Sequence, residues 1–344
     1  MKSASLFLLL AVCGCAFGIP SSLNENDSFD STLKTDWRVF NRFVQKYNKM
    51  YDDVEEMKMR FDEFRVNYKK IVEHNMMPHQ NFTLRVNEFA DMTQEEFRLY
   101  MTGFRDHSVR LPSETNGCSS FVSTKSVDLP NSVDWRDHQA VTPIKNQGQC
   151  GSCWSFSATG SMEGAWAIKS GNLVSLSEQQ LVDCSGSFGN QGCNGGLMDY
   201  AFEYAMENGM CTESEEPYEG RDDNCKQCTP SVTVKGCVDV TANNQEELKE
   251  AVSRQPVSVA IEADTTTFQF YNSGVLTSES CGTNLDHGVL AVGYGTENGN
   301  DYWLVKNSWG NSWGDNGYVK ILRTDSKSDP GICGIAMSAS YPTV

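Results

Sequence analysis

Basic residues are the scarce class in this chain: 28 Lys and Arg stand against 45 Asp and Glu. The formal net charge is -17 and the pI about 4.7. A nucleic-acid partner needs a basic face to neutralise phosphates, so that class of function is excluded first. Histidine is scarcer still, with five in 344 residues and only His138 and His287 after residue 128. Past the first eighteen residues no apolar run approaches the roughly 20 residues that a bilayer span needs, so no membrane span is expected. Internal repeats and low-complexity tracts are missing, which removes solenoid architectures. No long heptad seam is present, so a monomer is expected.

What is present is unevenly placed. Residues 129–344 hold 12 basic and 27 acidic side chains, whereas residues 1–128 hold 16 and 18. The two parts are therefore expected to do different jobs. The N-terminus, MKSASLFLLLAVCGCAFG, has one lysine, a short apolar run and then small residues. It reads as a signal peptide, 1–18, cut after Gly18. The chain then enters the secretory pathway, as a lysosomal or secreted protein, where disulfides form. Cys13 and Cys15 leave with the signal. Eleven cysteines remain, and an odd number leaves at least one thiol free.

Two helices are expected early. Asp36 can cap the first, in which Trp37, Phe40, Val44 and Tyr47 fall near one face. In the second, Glu56, Arg60, Phe64, Asn67, Ile71 and Asn75 recur at steps of four and three and share one stripe. Asn26 and Asn81 begin N-glycosylation sequons. Residues 105–128 are rich in Ser and Thr without strong periodicity and read as an exposed connector, with a boundary near Leu129. Beyond it, CWSFSATGSMEGAWAIKSG reads as a helix stopped by Gly171, and Ser177 with Gln180 fits a capping box opening another. After residue 230 the pattern turns to short strands: VSVAIEA, GVLAVGYG, DYWLVKNS and GYVKILR. Helices first and strands later predict an α+β, two-lobed protein.

The segment QGQCGSCWSFS, residues 147–157, concentrates the chemistry. Cys150 and Cys153 admit four readings: a redox pair, part of a metal site, a structural disulfide, or a nucleophile. A nucleophilic cysteine needs its thiolate, which a helix N-terminus and a neighbouring imidazolium both favour. Cys153 would open a helix. His138 lies among polar residues, while His287 stands at the mouth of an apolar strand and is the candidate base. If the strands of GVLAVGYG and DYWLVKNS pair antiparallel, Asn307 reaches His287 and holds its tautomer. Gln147, six residues before Cys153, can supply an oxyanion donor together with the Cys153 N–H.

These residues together resemble the papain-like cysteine peptidases, closest to the cathepsin L group, over essentially the whole chain. The resemblance implies a papain-like fold with a helical left lobe and a β-barrel-like right lobe, preceded by a mainly helical propeptide, 19–128, with the mature domain at 129–344. It implies that Cys153 is the nucleophile, His287 the acid/base, Asn307 its orienter and Gln147 the oxyanion donor, with no cofactor and no metal. Trp309 would shield the His–Asn bond. Gly195 and Gly196 would pair with an extended substrate. Leu197, Met198, Ala260, Leu285 and Ser338 match the main specificity pocket, and Asp286 and Trp309 join the substrate-binding set. No charge lines that pocket, so a hydrophobic or aromatic residue is expected immediately upstream of the scissile residue. The early stripe matches the family's propeptide at all six positions. RVNEFAD supplies Asn87, Phe89 and Asp91, although Arg85 stands where the family usually has glycine.

The resemblance also implies three disulfides: Cys150 with Cys193, Cys184 with Cys225, and Cys281 with Cys333. Cys118, Cys211, Cys228 and Cys237 stay open. Several readings stand side by side: one of Cys211, Cys228 and Cys237 stays free or pairs with Cys118 across the boundary, Cys211 pairs with Cys228 or Cys237, or Cys211, Cys225, Cys228 and Cys237 hold zinc. Expected partners are protein and peptide substrates, the chain's own propeptide as inhibitor, and cystatin-type inhibitors. Basic side chains of the pro-segment facing an acidic enzyme would let go on acidification.

Overall fold

A computed structural model describes residues 31–104, 117–124, 128–277 and 281–344. The expected signal peptide and Asn26 lie outside the described residues. The described chain divides into two units, with the division between Asn48 and Lys49. In the first, α1 spans Ser31–Lys46, so Asp36 lies inside the helix and does not cap it. Its rings form a ladder along one face, with Trp37–Phe40 at 5.6 Å, Phe40–Phe43 at 6.0 Å and Phe43–Tyr47 at 5.4 Å.

The second unit opens with α2 (Val54–Met76), capped by the Asp53 carboxylate on the Glu56 N–H. The expected stripe forms, and each polar member has a defined partner. Asn67 is buried and donates to the carbonyls of Ala90 (3.1 Å) and Met92 (3.0 Å). Asn75 exchanges two hydrogen bonds with the Leu84 backbone, at 2.8 and 2.9 Å. Arg60 pairs with Glu96 at 2.7 Å. Asp91 accepts from Lys49 and Tyr51, both at 2.9 Å. The stripe is a set of struts holding the following loop, with Phe64 and Ile71 as its apolar fill. β1 (Phe82–Leu84) and α3 (Gln94–Met101) complete this region; a full capping box between Thr93 and Glu96 starts α3.

Next come β2 (Ser119–Ser120), β3 (Val133–Asp134), α4 (Cys153–Ser170), α5 (Glu178–Cys184), α6 (Met198–Asn208), β4 (Gly236–Asp239), α7 (Gln245–Arg254), β5 (Val257–Ile261), α8 (Thr266–Gln269), β6 (Tyr271–Leu276), β7 (His287–Glu297), β8 (Asn300–Lys306), β9 (Tyr318–Leu322) and β10 (Ala339–Thr343). Gly171 ends α4 in the left-handed region, at φ 72, as expected. Only half of the second capping box forms. Ser177 accepts from the Gln180 N–H, but the Gln180 side chain reaches Tyr204, the Gly209 carbonyl and the Cys211 N–H.

α4 lies buried against the sheet because its facing residues are small and its polar ones are satisfied. Ser157 donates to the Val289 carbonyl at 2.7 Å and Ser161 to that of Pro256 at 2.8 Å. A Cβ on Gly160 would come within 2.7 Å of the Leu290 side chain, which would have to shift to admit it. The expected barrel-like closure is not formed: the strands run as an open path, β1-β6-β9-β8-β7-β5-β10-β4-β2, with β3 on β7. One end of that path, β1, pairs antiparallel with β6, so the pro-segment is stitched into the sheet. The other end, β2, pairs parallel with β4. Residues 119–120 are thus an edge strand, where the sequence suggests an exposed connector. Among the described residues no helix is long and apolar enough to cross a membrane.

Candidate active site

Cys153 is the first residue of α4, is fully buried and is the free cysteine of the described chain. The Gly288 N–H donates to its sulfur at 3.3 Å. The residue before Gly288 is His287, the first residue of β7. β7 and β8 pair antiparallel, with Leu290 opposite Lys306, which brings Asn307 beside His287. The His287 Nε2–H donates to Asn307 Oδ1 at 2.8 Å, and the Ser308 N–H donates to the same oxygen at 2.8 Å. Donation from Nε2 leaves Nδ1 as the ring's lone-pair nitrogen, and Nδ1 is buried with no hydrogen-bond partner. Trp309 lies over the imidazole, 4.6 Å between centroids and 32° between planes.

Gln147 is buried, and Ser308 donates to its Oε1 at 2.7 Å, which turns Nε2 toward the carbonyls of Cys150 (3.0 Å) and Met101 (3.3 Å). The indole N–H of Trp309 also donates to the Met101 carbonyl, at 3.1 Å. The Met101 carbonyl therefore lies on the Gln147 amide and the Trp309 indole N–H together.

The rest of the groove is filled by the next three residues. Gly103 N and Phe104 N donate to the Asp286 carbonyl at 2.9 and 2.8 Å, and Gly196 N donates to the Gly103 carbonyl at 2.9 Å. Phe104 forms a parallel bridge with Gly196. Its ring belongs to a buried cluster with Leu197, Met198, Ala260 and Leu285. A Cβ on Gly103 would lie 2.0 Å from the Gly151 carbonyl oxygen, so only glycine lets the chain pass this close. Gly195 is not brought to the pro-segment; its N–H and C=O bond within the 191–195 turn. Ser338 is half-buried, its carbonyl accepting from Ala260 N, while Met337 packs on the cluster. Phe104 and Met337 are the pocket residues that sequence reasoning missed.

Burial decides the ionisation here. It pushes the Cys153 thiol up to about 12, against the pull of the Gly288, Trp154 and Cys153 backbone N–H groups. It pushes the His287 imidazole down to about 4, with the Asn307 bond opposing. A thiol with a raised pKa and an imidazole with a lowered one are both neutral near pH 7. In the covered site burial therefore works against the charged form of each group. The Asp286 carboxyl, half-buried and accepting from the Ala263 and Asp264 N–H groups, is raised to about 8 by burial.

Behind the site lies an ionic cluster that the sequence did not announce. Lys145 bridges Glu163 (2.9 Å) and Glu178 (2.6 Å), and Lys306 donates to Thr142 at 2.9 Å. Burial alone would raise Glu163, but the two lysines and its hydrogen bonds hold it below the usual range. Lys306, directly before Asn307, is lowered to about 8 by burial.

The disulfides join Cys150–Cys193, Cys184–Cys225, Cys281–Cys333, Cys211–Cys228 and Cys118–Cys237. The alternative zinc set is engaged in three of these bonds. A Cys150–Cys153 redox couple is likewise removed, since Cys150 bonds Cys193. Asn81, the second glycosylation candidate, is exposed, and its amide donates to Thr277 at 3.3 Å.

Comparison with known proteins adds the relationship. Residues 129–343 match the papain family cysteine protease model and residues 40–97 the cathepsin propeptide inhibitor domain. A cathepsin L-like peptidase of Aedes aegypti is 48% identical over 328 residues, covering 91% of this chain and 94% of its own. Cathepsin L of Sarcophaga peregrina is 46% identical over 323 residues, 91% and 93% of the two chains. Among solved structures, digestive procathepsin L 3 of the Tenebrio molitor larval midgut superposes with a TM-score of 0.82 at 40% identity, covering 90% of this chain and 99% of that one. The recombinant stem bromelain precursor superposes with a TM-score of 0.82 at 39% identity, over 90% and 99%. With a free cysteine at a helix N-terminus, a histidine oriented by asparagine and a segment lying through the groove, the chain belongs to the papain family of cysteine proteases, in a form that carries its cathepsin propeptide inhibitor domain.

Proposed function

We propose that this chain is the zymogen of a cathepsin L-like endopeptidase in which Cys153 is the nucleophile and His287 the acid/base. The observation that carries the reading is the His287–Asn307 bond, which leaves Nδ1 unpartnered on the residue preceding the Gly288–sulfur contact. Once residues 101–104 leave, water solvates the pair and the thiol proton passes to Nδ1. The thiolate attacks a peptide carbonyl. Its oxyanion takes the place of the Met101 carbonyl at Gln147 Nε2, joined by the Cys153 N–H; such a donor is worth about 2.7–4 kcal/mol of barrier. His287 protonates the leaving amine, and water then hydrolyses the thioester. Cys153→Ala should reduce peptide cleavage to background with the thermal transition unchanged; turnover surviving in that variant overturns the assignment.

Specificity follows from the pocket around Phe104. Leu197, Met198, Ala260 and Leu285 offer an apolar cavity and no countercharge, so the residue preceding the scissile one is hydrophobic or aromatic. Peptides with Phe or Leu there should outperform Arg in kcat/KM by at least about tenfold, the worth of roughly 1.4 kcal/mol. The pro-segment is assigned to 19–128 and the enzyme to 129–344, working as a monomer in an acidic lysosomal or extracellular digestive compartment. Reversible block by a cystatin-type inhibitor is expected at the same groove.

A further inference from the structure

The Ser/Thr-rich stretch before the enzyme body behaves in the structure as part of that body. Gly117 N donates to Glu203 of α6 at 2.9 Å. Ser119 and Ser120 pair with Val238 and Asp239, and Phe121 N donates to the Asp239 carbonyl at 2.8 Å. Phe121 is buried, edge-on to Tyr341 at 6.4 Å, with the Arg254 guanidinium over its ring at 5.3 Å. Ser123 and Thr124 close on the Glu250 carboxylate with three hydrogen bonds of 2.6–2.9 Å. The Cys118–Cys237 disulfide locks this strand to β4. Residues 101–104, in contrast, are held in the groove by hydrogen bonds and packing.

We infer that activation separates only the part of the pro-segment preceding Cys118, and that residues 117–124 stay on the active enzyme, joined covalently through Cys118–Cys237. This rests on the zymogen reading above and moves the functional boundary upstream of Leu129. The step is balanced: hydrolysis of a peptide bond on either side of Cys118 consumes one water, and the disulfide is neither formed nor broken. A cut before residue 117 leaves one chain; a cut after 124 leaves two chains joined by the bond. In both cases β2 remains paired on β4, which would otherwise be the open edge of the sheet. The strand also borders the specificity pocket. Asp199, one residue after Met198, has its carboxylate within 4.8 Å of the Cys118 sulfur, and Ser340, two residues after Ser338, donates to that carboxylate at 2.6 Å.

The test uses full-length protein carrying Cys153→Ala, cut by pepsin at acid pH without reductant, alkylated, denatured and weighed intact before and after reduction. The expected result is complete retention of Cys118 with the enzyme body and no alkylation of Cys237 until reduction. A body that begins beyond Cys118, with nothing attached and Cys237 alkylated, overturns the inference. Because pepsin makes the cut, the result does not depend on the chain's own activity. Self-activated wild-type protein, weighed in the same way, reports separately on the zymogen reading. A Cys118→Ser/Cys237→Ser double variant, expected to lose the 117–124 peptide on denaturation after a cut beyond residue 124, shows that the bond and not the strand pairing is responsible.

Discussion

Residues 49–104 and residues 129–344 are held together by different forces. The body carries four internal disulfides and a fifth to Cys118. Each is worth about 2–4 kcal/mol and none responds to protons. The cover has no disulfide among its described residues. It relies on amide struts from Asn67 and Asn75, on rings, and on the ion pairs Lys49–Asp91 and Arg60–Glu96. These pairs lie inside the cover; Arg85, facing the body, donates instead to the Ser312 and Gly314 carbonyls. Among the described residues no ion pair joins the cover to the body, so an acid response carried by salt bridges would act on the cover's own fold. One region can be dismantled while the other stands.

The sharpest probe of that contrast is Cys153 itself. A thiol raised to about 12 is roughly one part in 10^5 ionised at pH 7, against a few per cent for an ordinary thiol. Iodoacetamide should therefore label Cys153 in the activated enzyme at least about 1,000-fold faster than in the proform. Equal rates would mean that the cover does not control the charge.

The next effect comes from breaking the cover's grip. Phe97 is buried and meets Trp309 edge-on at 5.2 Å, while Phe89 meets the same indole at 5.8 Å. The shield over His287 is thus also the anchor of the cover. Phe97→Ala should cost about 3–5 kcal/mol of closed form, raising Cys153 labelling in the proform at pH 7 by at least about 100-fold. The melting temperature of the activated enzyme should stay the same in this variant, since Phe97 has left with the cover.

Much of the site was legible because its chemistry restricts residue types locally. Cys153 opens a helix whose stop at Gly171 is equally visible, and only two histidines compete in the body. The strands of β5, β7, β8 and β9 are apolar runs that periodicity finds. α7 was hidden because its sequence, QEELKEAVSR, is mostly polar, although Leu248, Ala251 and Val252 form its buried face. The open sheet was hidden because closure depends on which edges meet. Cys118–Cys237 spans 119 residues, and a Ser/Thr-rich tail gives no sign of the partner that orders it. The direction of the Cys153 and His287 shifts was hidden for a related reason: pKa follows burial, and residues about 50 positions upstream of Cys153 help to impose it.

Arg85 offers a smaller break in the comparison. It stands where the family resemblance leads one to expect glycine, and its guanidinium reaches Ser312 O at 2.9 Å and Gly314 O at 3.3 Å across to the body. Half in solvent, these bonds are worth about 1 kcal/mol together. Arg85→Ala should raise proform labelling of Cys153 about fivefold at pH 7, and Arg85→Gly should do at least as much. If neither changes the rate, the cover is held by packing alone.

The least effect at neutral pH, and the most informative about acid, belongs to Glu96. Burial would raise its carboxyl, but Arg60 and the Thr93 backbone and hydroxyl outweigh that and hold it below the usual value of 4.5. A depressed carboxyl stabilises the closed form above its unfolded value, and that contribution fades as pH falls through the lowered one. Glu96→Gln keeps an acceptor for the Thr93 cap and removes the charge. At pH 7 labelling should rise only about twofold, the worth of roughly 0.5 kcal/mol for a partly exposed pair. From pH 4.5 downward the variant and the wild type should approach each other, and they should converge once the pH has fallen through the lowered value and the closed-form carboxylate is protonated. The opening curve of the variant should accordingly be shallower and begin at higher pH. A curve parallel to the wild type would assign the acid response to carboxylates other than Glu96.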